Sequence, residues 1–208
     1  MSHELRRMKK WIIPLLAGLM LRNTVPASLR IIEVDTGKSD IFWKCDKHNG
    51  FFPLDSGKVW VDRHNRLQKG IFYINIKDLQ VLDLDSANYK TAKAILENTL
   101  KNEFFEVDKY PLSYFKMEEV MPAGNDWMME GDLFMHGTAV CIRFEGRYDF
   151  TPDAPEWFLE SETFKIDRTD WGIYRLSPKR PYPDDEHGWT VPDTVEITVK
   201  LRFHKPAE

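Results

Sequence analysis

Few residues in this sequence are spaced for chemistry. One polar group in its second half is Asp167-Arg168-Thr169-Asp170, followed by Trp171-Gly172. An arginine at a strand end can grip a phosphate in a bidentate manner. With two carboxylates so close, an ion-pair brace for the Trp171-Gly172 turn is the preferred reading. Asp184-Asp185-Glu186-His187 offers oxygen ligands of the kind a hard cation takes. Its setting, the charged and proline-rich stretch from Ser177 to Pro192, reads instead as a solvated surface loop. The histidines beyond the first segment (His48, His64, His136, His187 and His204) show no ligand spacing. Glu118-Glu119, Glu160 and Glu162 fall on strand positions that face water and need no acid–base role. There is no Gly-x-Ser-x-Gly elbow, no phosphate-binding glycine loop and no His-Glu-x-x-His pair. The sequence therefore indicates no catalytic residue, no metal site and no cofactor, although a triad assembled from distant residues leaves no such trace.

The chemistry that remains is that of apolar surface. Residues alternate between apolar and polar along most of the chain, and the apolar rows are candidates for the lining of a dry lumen: Phe72, Ile74, Phe115, Met117, Met129, Leu133, Met135, Val140, Ile142, Phe164, Ile166, Ile197 and Val199. A hydrocarbon tail needs only a water-free tube of suitable bore. Methionines adapt to an irregular chain, being flexible and polarizable. Each buried methylene contributes ~0.8 kcal/mol, so a dozen supply roughly 10 kcal/mol before ordering costs. By pattern alone, the preferred reading is that the same side chains simply fill the barrel, because eight strands leave little more than room for their own residues.

Strands must position these rows. The cleanest run is the last, with Val195, Ile197, Val199, Leu201 and Phe203 on one face and Glu196, Thr198, Lys200 and Arg202 on the other. Further runs are Ile41 to Cys45, Lys58 to Asp62, Ile71 to Lys77, Leu112 to Val120, Trp127 to Met135, Ala139 to Phe150 and Trp157 to Asp167, which makes eight, with Ile31 to Val34 as a lead-in. His136-Gly137 reads as a hairpin turn. The set predicts an all-β barrel or sandwich, and closure of a barrel would remove exposed edges. One segment departs from the pattern. Asn88 to Lys101 places Ala92, Ile95, Leu96, Thr99 and Leu100 at helical spacing, with Asp85 or Ser86 as a cap and Tyr110-Pro111 as the exit. This helix, between the third and fourth strands, would close one barrel end with Phe104 and Phe105 packed beneath it.

The 13 Phe, 7 Trp and 7 Tyr are enough to line both a core and a cavity, and the net charge of −4 carries no nucleic-acid footprint. Residues 1–27 read as a signal peptide. Arg6, Arg7, Lys9 and Lys10 precede the apolar run from Trp11 to Leu21, and Val25-Pro26-Ala27 offers a cleavage site near Ala27. That run is shorter than the ~20 residues a membrane span requires. Met8-Lys9-Lys10 would itself serve as a start. Removing residues 1–27 takes away five bases and one acid and moves the charge from −4 to −8, so an anionic membrane surface would be an unattractive partner. Residues 28–208 show no internal boundary and read as one domain. In an exported chain Cys45 and Cys141 could form a bridge, and buried free thiols are the alternative. Oligomeric state is left open.

In sequence order the chain carries Glu33-Val34-Asp35, Lys38 to Trp43, Gly57-Lys58-Val59, Gly70-Ile71-Phe72, the block from Leu100 to Pro111 with its Phe104-Phe105 pair, Gly131-Asp132-Leu133, His136-Gly137, Asp167 to Gly172 and Asp193 to Ile197. With these blocks in this order, it resembles the YceI-like, polyisoprenoid-binding family of bacterial periplasmic proteins with a lipocalin-like fold. Thr99, Lys69 and the long Ser177 to Pro192 loop depart from the pattern. The resemblance implies an eight-stranded antiparallel lipocalin-like barrel with one inserted helix. It also implies a periplasmic carrier or storage role for an isoprenoid or similar long-chain amphiphile held in the lumen. The competing expectations are a barrel-fold enzyme acting on a small lipidic substrate and a stress or interaction domain with a filled core.

Overall fold

The computed structural model describes residues 28–84, 87–180 and 189–205, so the signal-peptide segment and the Asp85 and Ser86 caps lie outside the described residues. Eleven strands are present among the described residues: β1 (Arg30–Glu33), β2 (Asp40–Cys45), β3 (His48–Val61), β4 (Leu67–Ile74), β5 (Gln80–Val81), β6 (Tyr114–Ala123), β7 (Asp126–Met135), β8 (Thr138–Asp149), β9 (Trp157–Ser161), β10 (Phe164–Asp167) and β11 (Thr194–Phe203). Eight of them close a ring in the order β2-β3-β4-β6-β7-β8-β9-β11 and back to β2. Every pairing is antiparallel. The short β1 and β5 add to β3, and β10 adds to β11. This is the expected eight-stranded barrel.

Alternation puts the apolar rows inside. Along β7, Met129, Gly131, Leu133 and Met135 are buried while the residues between them are only partly so. The β7–β8 hairpin turns on His136 and Gly137, at φ 51° and 78°. Two positive φ values in a two-residue loop match the twist of the flanking strands, and glycine takes the second at no steric cost.

Two strands differ from the sequence reading. β3 begins at His48, ten residues before the expected Lys58, because Asn49-Gly50, Pro53 and Asp55-Ser56-Gly57 read as turn residues. In the fold they stay extended. A bulge between Leu54 and Ser56 absorbs the irregularity. Gly50 pairs with Trp43 and lies where a Cβ would come within 1.9 Å of the Gln80 carbonyl oxygen and 2.7 Å of the Trp43 ring. The expected run from Trp157 to Asp167 divides into β9 and β10. β10 pairs with β11 alone, so beside it the wall is joined to β8 by side chains, with Phe144 stacked on Phe164 at 4.7 Å.

The helix α1 (Lys90–Thr99) lies between β5 and β6, which is between the third and fourth strands of the ring, and continues into a π-helical turn over Leu100–Phe104. Its inward face is Lys93, Leu96, Glu97 and Leu100. Ile95, expected on that face, is 62% exposed. The Glu97 carboxylate accepts a hydrogen bond from the Val81 backbone N–H of β5 at 2.9 Å, which fixes the helix rotation and turns Ile95 outward. The core fills the opposite end of the barrel, where Phe150 packs edge-on against Trp157 and Phe203 beside the fully buried Val59, Val61, Leu159 and Leu201.

Candidate functional site

The helix end of the barrel is hollow. A cavity of about 620 Å³ is bounded by Trp43 on β2, Phe52 on β3, Leu79, Met135 on β7, Ile166 on β10, and Val195 and Ile197 on β11. Leu96, Thr99, Leu100, Phe104 and Phe105 roof it, and Ile173, Leu176 and Val191 close the side. The roof is locked by rings: Phe105 stands edge-on to Phe52 at 5.6 Å, and Phe52 leans on Trp43 at 6.3 Å. Phe104 and Phe105, expected to pack beneath the helix, belong to the roof itself, Phe104 closing the π-helical turn and Phe105 following it.

Apart from the buried Trp43 indole N–H, which has no hydrogen-bond partner, the polar groups are Cys45, Asp46, Lys47 and His48 at the β2–β3 turn, Thr99, Arg168, Trp189 and Thr190. Arg168 is buried, and its guanidinium is fully engaged. Nε donates to the Pro192 carbonyl (3.2 Å), Nη1 to those of Ile173 (2.7 Å) and Arg175 (2.8 Å), and Nη2 to that of Val191 (3.0 Å). Nη2 also stands 3.1 Å from Asp193 Oδ1. Its plane lies over the Phe104 ring at 5.4 Å. Four N–H groups thus donate to four carbonyls, and the Asp193 carboxylate is paired by charge, its Oδ1 accepting no hydrogen bond, which makes Arg168 a brace for the loop and not a free phosphate grip. Burial pushes its pKa down, against the pull of Asp193. Asp167 caps the following turn, accepting from the Thr169 N–H at 2.9 Å and hydroxyl at 2.6 Å, and ion-pairs with Lys179. Burial acts to raise the Asp167 pKa, but these bonds prevail and hold it below the usual carboxylate value.

Cys45 and Cys141 are free thiols, Cys141 exposed on β8 and Cys45 beside the cavity with Sγ 3.5 Å from the Pro192 carbonyl oxygen. Burial raises the Cys45 pKa although Arg168 opposes it, so the thiol is not primed as a nucleophile. The Asp184 to His187 cluster lies outside the described residues. Among the described residues, no group of three His, Cys, Asp or Glu side chains is placed to hold a metal ion, and no helix is long and apolar enough to cross a membrane.

The thirteen residues proposed from sequence to line a lumen are distributed unevenly. Met135, Ile166 and Ile197 line the 620 Å³ cavity. Phe72, Ile74, Phe115, Met117, Leu133, Ile142, Phe164, Ile197 and Val199 surround a second void of only about 50 Å³ deeper in the barrel. Met129 is fully buried and Val140 half-buried against the core, and neither lines either space. Sequence reasoning passed over Trp43, Phe52, Leu79, Ile173, Leu176 and Val191 as lining residues. Val195 stood in the β11 row and extends it to the cavity. Ile173, Leu176 and Val191 lie on loops, where no periodicity marks them.

The sequence matches the YceI-like domain over residues 33–203. No curated protein matches it. Among solved structures, BcnA from Burkholderia cenocepacia superposes with a TM-score of 0.61 at 16% identity, covering 81% of this chain and 98% of that one. A polyisoprenoid binding domain from Saccharophagus degradans, implicated in plant cell wall breakdown, gives 0.52 at 12% identity, covering 86% and 100%. A YceI protein from Campylobacter jejuni gives 0.50 at 14% identity, covering 96% and 100%. At these identities the superpositions speak for the fold, while the domain match spans most of the sequence and settles descent: the chain belongs to the YceI-like domain family.

Proposed function

We propose that this protein binds a long-chain amphiphile, of the polyisoprenoid kind, with its tail in the helix-end cavity and its polar head at the rim formed by Asp46, Lys47, His48 and Thr190, and that it serves as a periplasmic carrier or store and not as an enzyme. The observation that carries this reading is a 620 Å³ apolar cavity, well above the ~300 Å³ at which ligand pockets begin, whose one buried cation is consumed by backbone carbonyls. A filled-core interaction domain accounts for the lower half of the barrel but not for this hollow. An enzyme would need an unspent acid, base or nucleophile at depth; Arg168 and Cys45 do not supply one, and the unpartnered indole N–H of Trp43 can only donate a hydrogen bond. Family membership and the Saccharophagus relative, a polyisoprenoid binding domain, point the same way. The signal-peptide reading of residues 1–27 is what an exported carrier would need.

The test is native mass spectrometry of protein purified from its own host, followed by titration with a prenol. A co-purifying lipid, or saturable one-to-one uptake, is expected. Leu100→Trp, which fills the roof of the cavity, should weaken uptake at least tenfold with the fold intact. Uptake undiminished in that variant would place the ligand elsewhere, and absence of lipid together with no prenol uptake would refute the proposal.

A further inference from the structure

The lumen is divided at one level. Successive inward residues on three strands fall on opposite sides of that level: Trp43 lines the large cavity and Ile41 the small void on β2, Met135 and Leu133 do so on β7, and Ile166 and Phe164 on β10. On β11, Val195 faces the large cavity, Val199 the small void, and Ile197 borders both. Ile197 is flanked in register by Trp43 on one side and Phe164 on the other. Beneath it the bore is occupied by protein, with Phe144 stacked on Phe164 at 4.7 Å and tilted against Phe115 at 5.6 Å. Only about 50 Å³ stays open there.

From this division we infer that the protein measures tail length, with Ile197 and Phe164 forming the floor of the site as specificity-determining residues. The inference rests on the cavity being the tail-binding site. At ~30 Å³ per non-hydrogen atom, the volume a water molecule occupies in the liquid, 620 Å³ accommodates about 20 such atoms, or about four isoprene units. Atoms beyond that number must protrude past the rim into water, where they gain nothing from burial. The ligand class is therefore a short prenyl or comparable branched or linear amphiphile, bound by its first four units' worth of tail. Longer polyprenyl chains would be held no more tightly than short ones.

The experiment titrates the full chain with prenols of two, four, six and eight isoprene units, followed by native mass spectrometry with competition between lengths. In the wild type, affinity is expected to rise about tenfold or more for each unit added up to four, then stay within about twofold. Ile197→Ala joins the 50 Å³ void to the cavity and removes three carbons. At the same volume per atom this moves the limit out by about five carbons, one further unit. Phe164→Ala should move it by at least as much. Affinity that keeps climbing from four to eight units in the wild type overturns the inference while leaving the tail-binding reading intact, as does an unchanged limit in folded Ile197→Ala. If neither variant folds, the wild-type series decides alone. Failure of every prenol to bind removes the tail-binding reading, and the length limit with it.

Discussion

Replacing Arg168 by methionine preserves most of the side chain's length and apolar stem while removing its whole set of donors. Four carbonyl oxygens, those of Ile173, Arg175, Val191 and Pro192, lose their partner. The Asp193 carboxylate, itself 93% buried, loses its nearer counter-charge and keeps only Lys179, whose Nζ stands 4.0 Å from Oδ2. Breaking a buried ion pair from one side costs about 3–5 kcal/mol. The stranded carbonyls could add more, but the loop they belong to can open to water and recover part of it, so about 4 kcal/mol is expected. For a domain of this size that corresponds to a fall in melting temperature of roughly 8–16 °C. Arg168→Lys offers three donors on one nitrogen instead of five spread over a planar fork, so its loss should lie between wild type and Arg168→Met. Adding Asp193→Asn to Arg168→Met removes a buried charge left with only the more distant Lys179 and should restore about 1 kcal/mol. Urea denaturation of the four proteins measures all of this. A loss below about 1 kcal/mol for Arg168→Met would refute the brace. So would a variant of unchanged stability that no longer binds anionic amphiphiles, which would make Arg168 a head-group ligand after all.

Two further outcomes follow from the same geometry. Gly50→Ala should destabilise the barrel by about 3 kcal/mol, since its Cβ meets the Gln80 carbonyl at 1.9 Å and backbone must move. Because the Trp43 ring is the other obstacle, the same change should press the indole toward the cavity and weaken prenol uptake; wild-type stability and uptake would contradict the packing described. Acid should unfold the protein through Asp62, Asp83, Glu160 and Asp167. For each of these burial acts to raise the pKa, but hydrogen bonds and ion pairs outweigh it and lower it. A folded pKa below the unfolded one means their stabilisation is complete above the ordinary values of 3.8 and 4.5 and is lost as pH falls through the folded values. Asp40, raised by burial, contributes with the opposite sign. Melting temperature by circular dichroism should therefore drop steeply below about pH 4.5, less steeply in Asp167→Asn, and a flat profile from pH 6 to about pH 3 would show that these carboxylates are not so held.

Much of the barrel was legible in the sequence because alternation is a local signal. A residue's face in a strand depends only on its neighbours two positions away, so the β7, β8 and β11 rows could be read directly, and the apolar spacing after Ala87 marked the helix. The signal failed where local chemistry and tertiary demand disagree. In the first half of β3, Gly50 reads as a turn residue but is required by the close approach of Trp43 and Gln80, a constraint imposed by chain neighbours up to thirty residues away. Ile95 was assigned to the buried face by periodicity and turned out by one hydrogen bond from Val81 to Glu97.

The position of the hollow is of the second kind. The order and type of the strands, their inward rows and the helix that covers one end are properties of short segments, and the residues themselves determined them. Whether a given inward residue faces another side chain or empty space depends on the summed volume that distant strands bring to one level of the barrel. Phe144, Phe164 and Phe115 meet across three strands and fill the bore at theirs. One step higher, the loop residues Ile173, Leu176 and Val191 and the helix stand far enough apart to leave it open. That volume is a property of closure and register, and only the folded chain decided it.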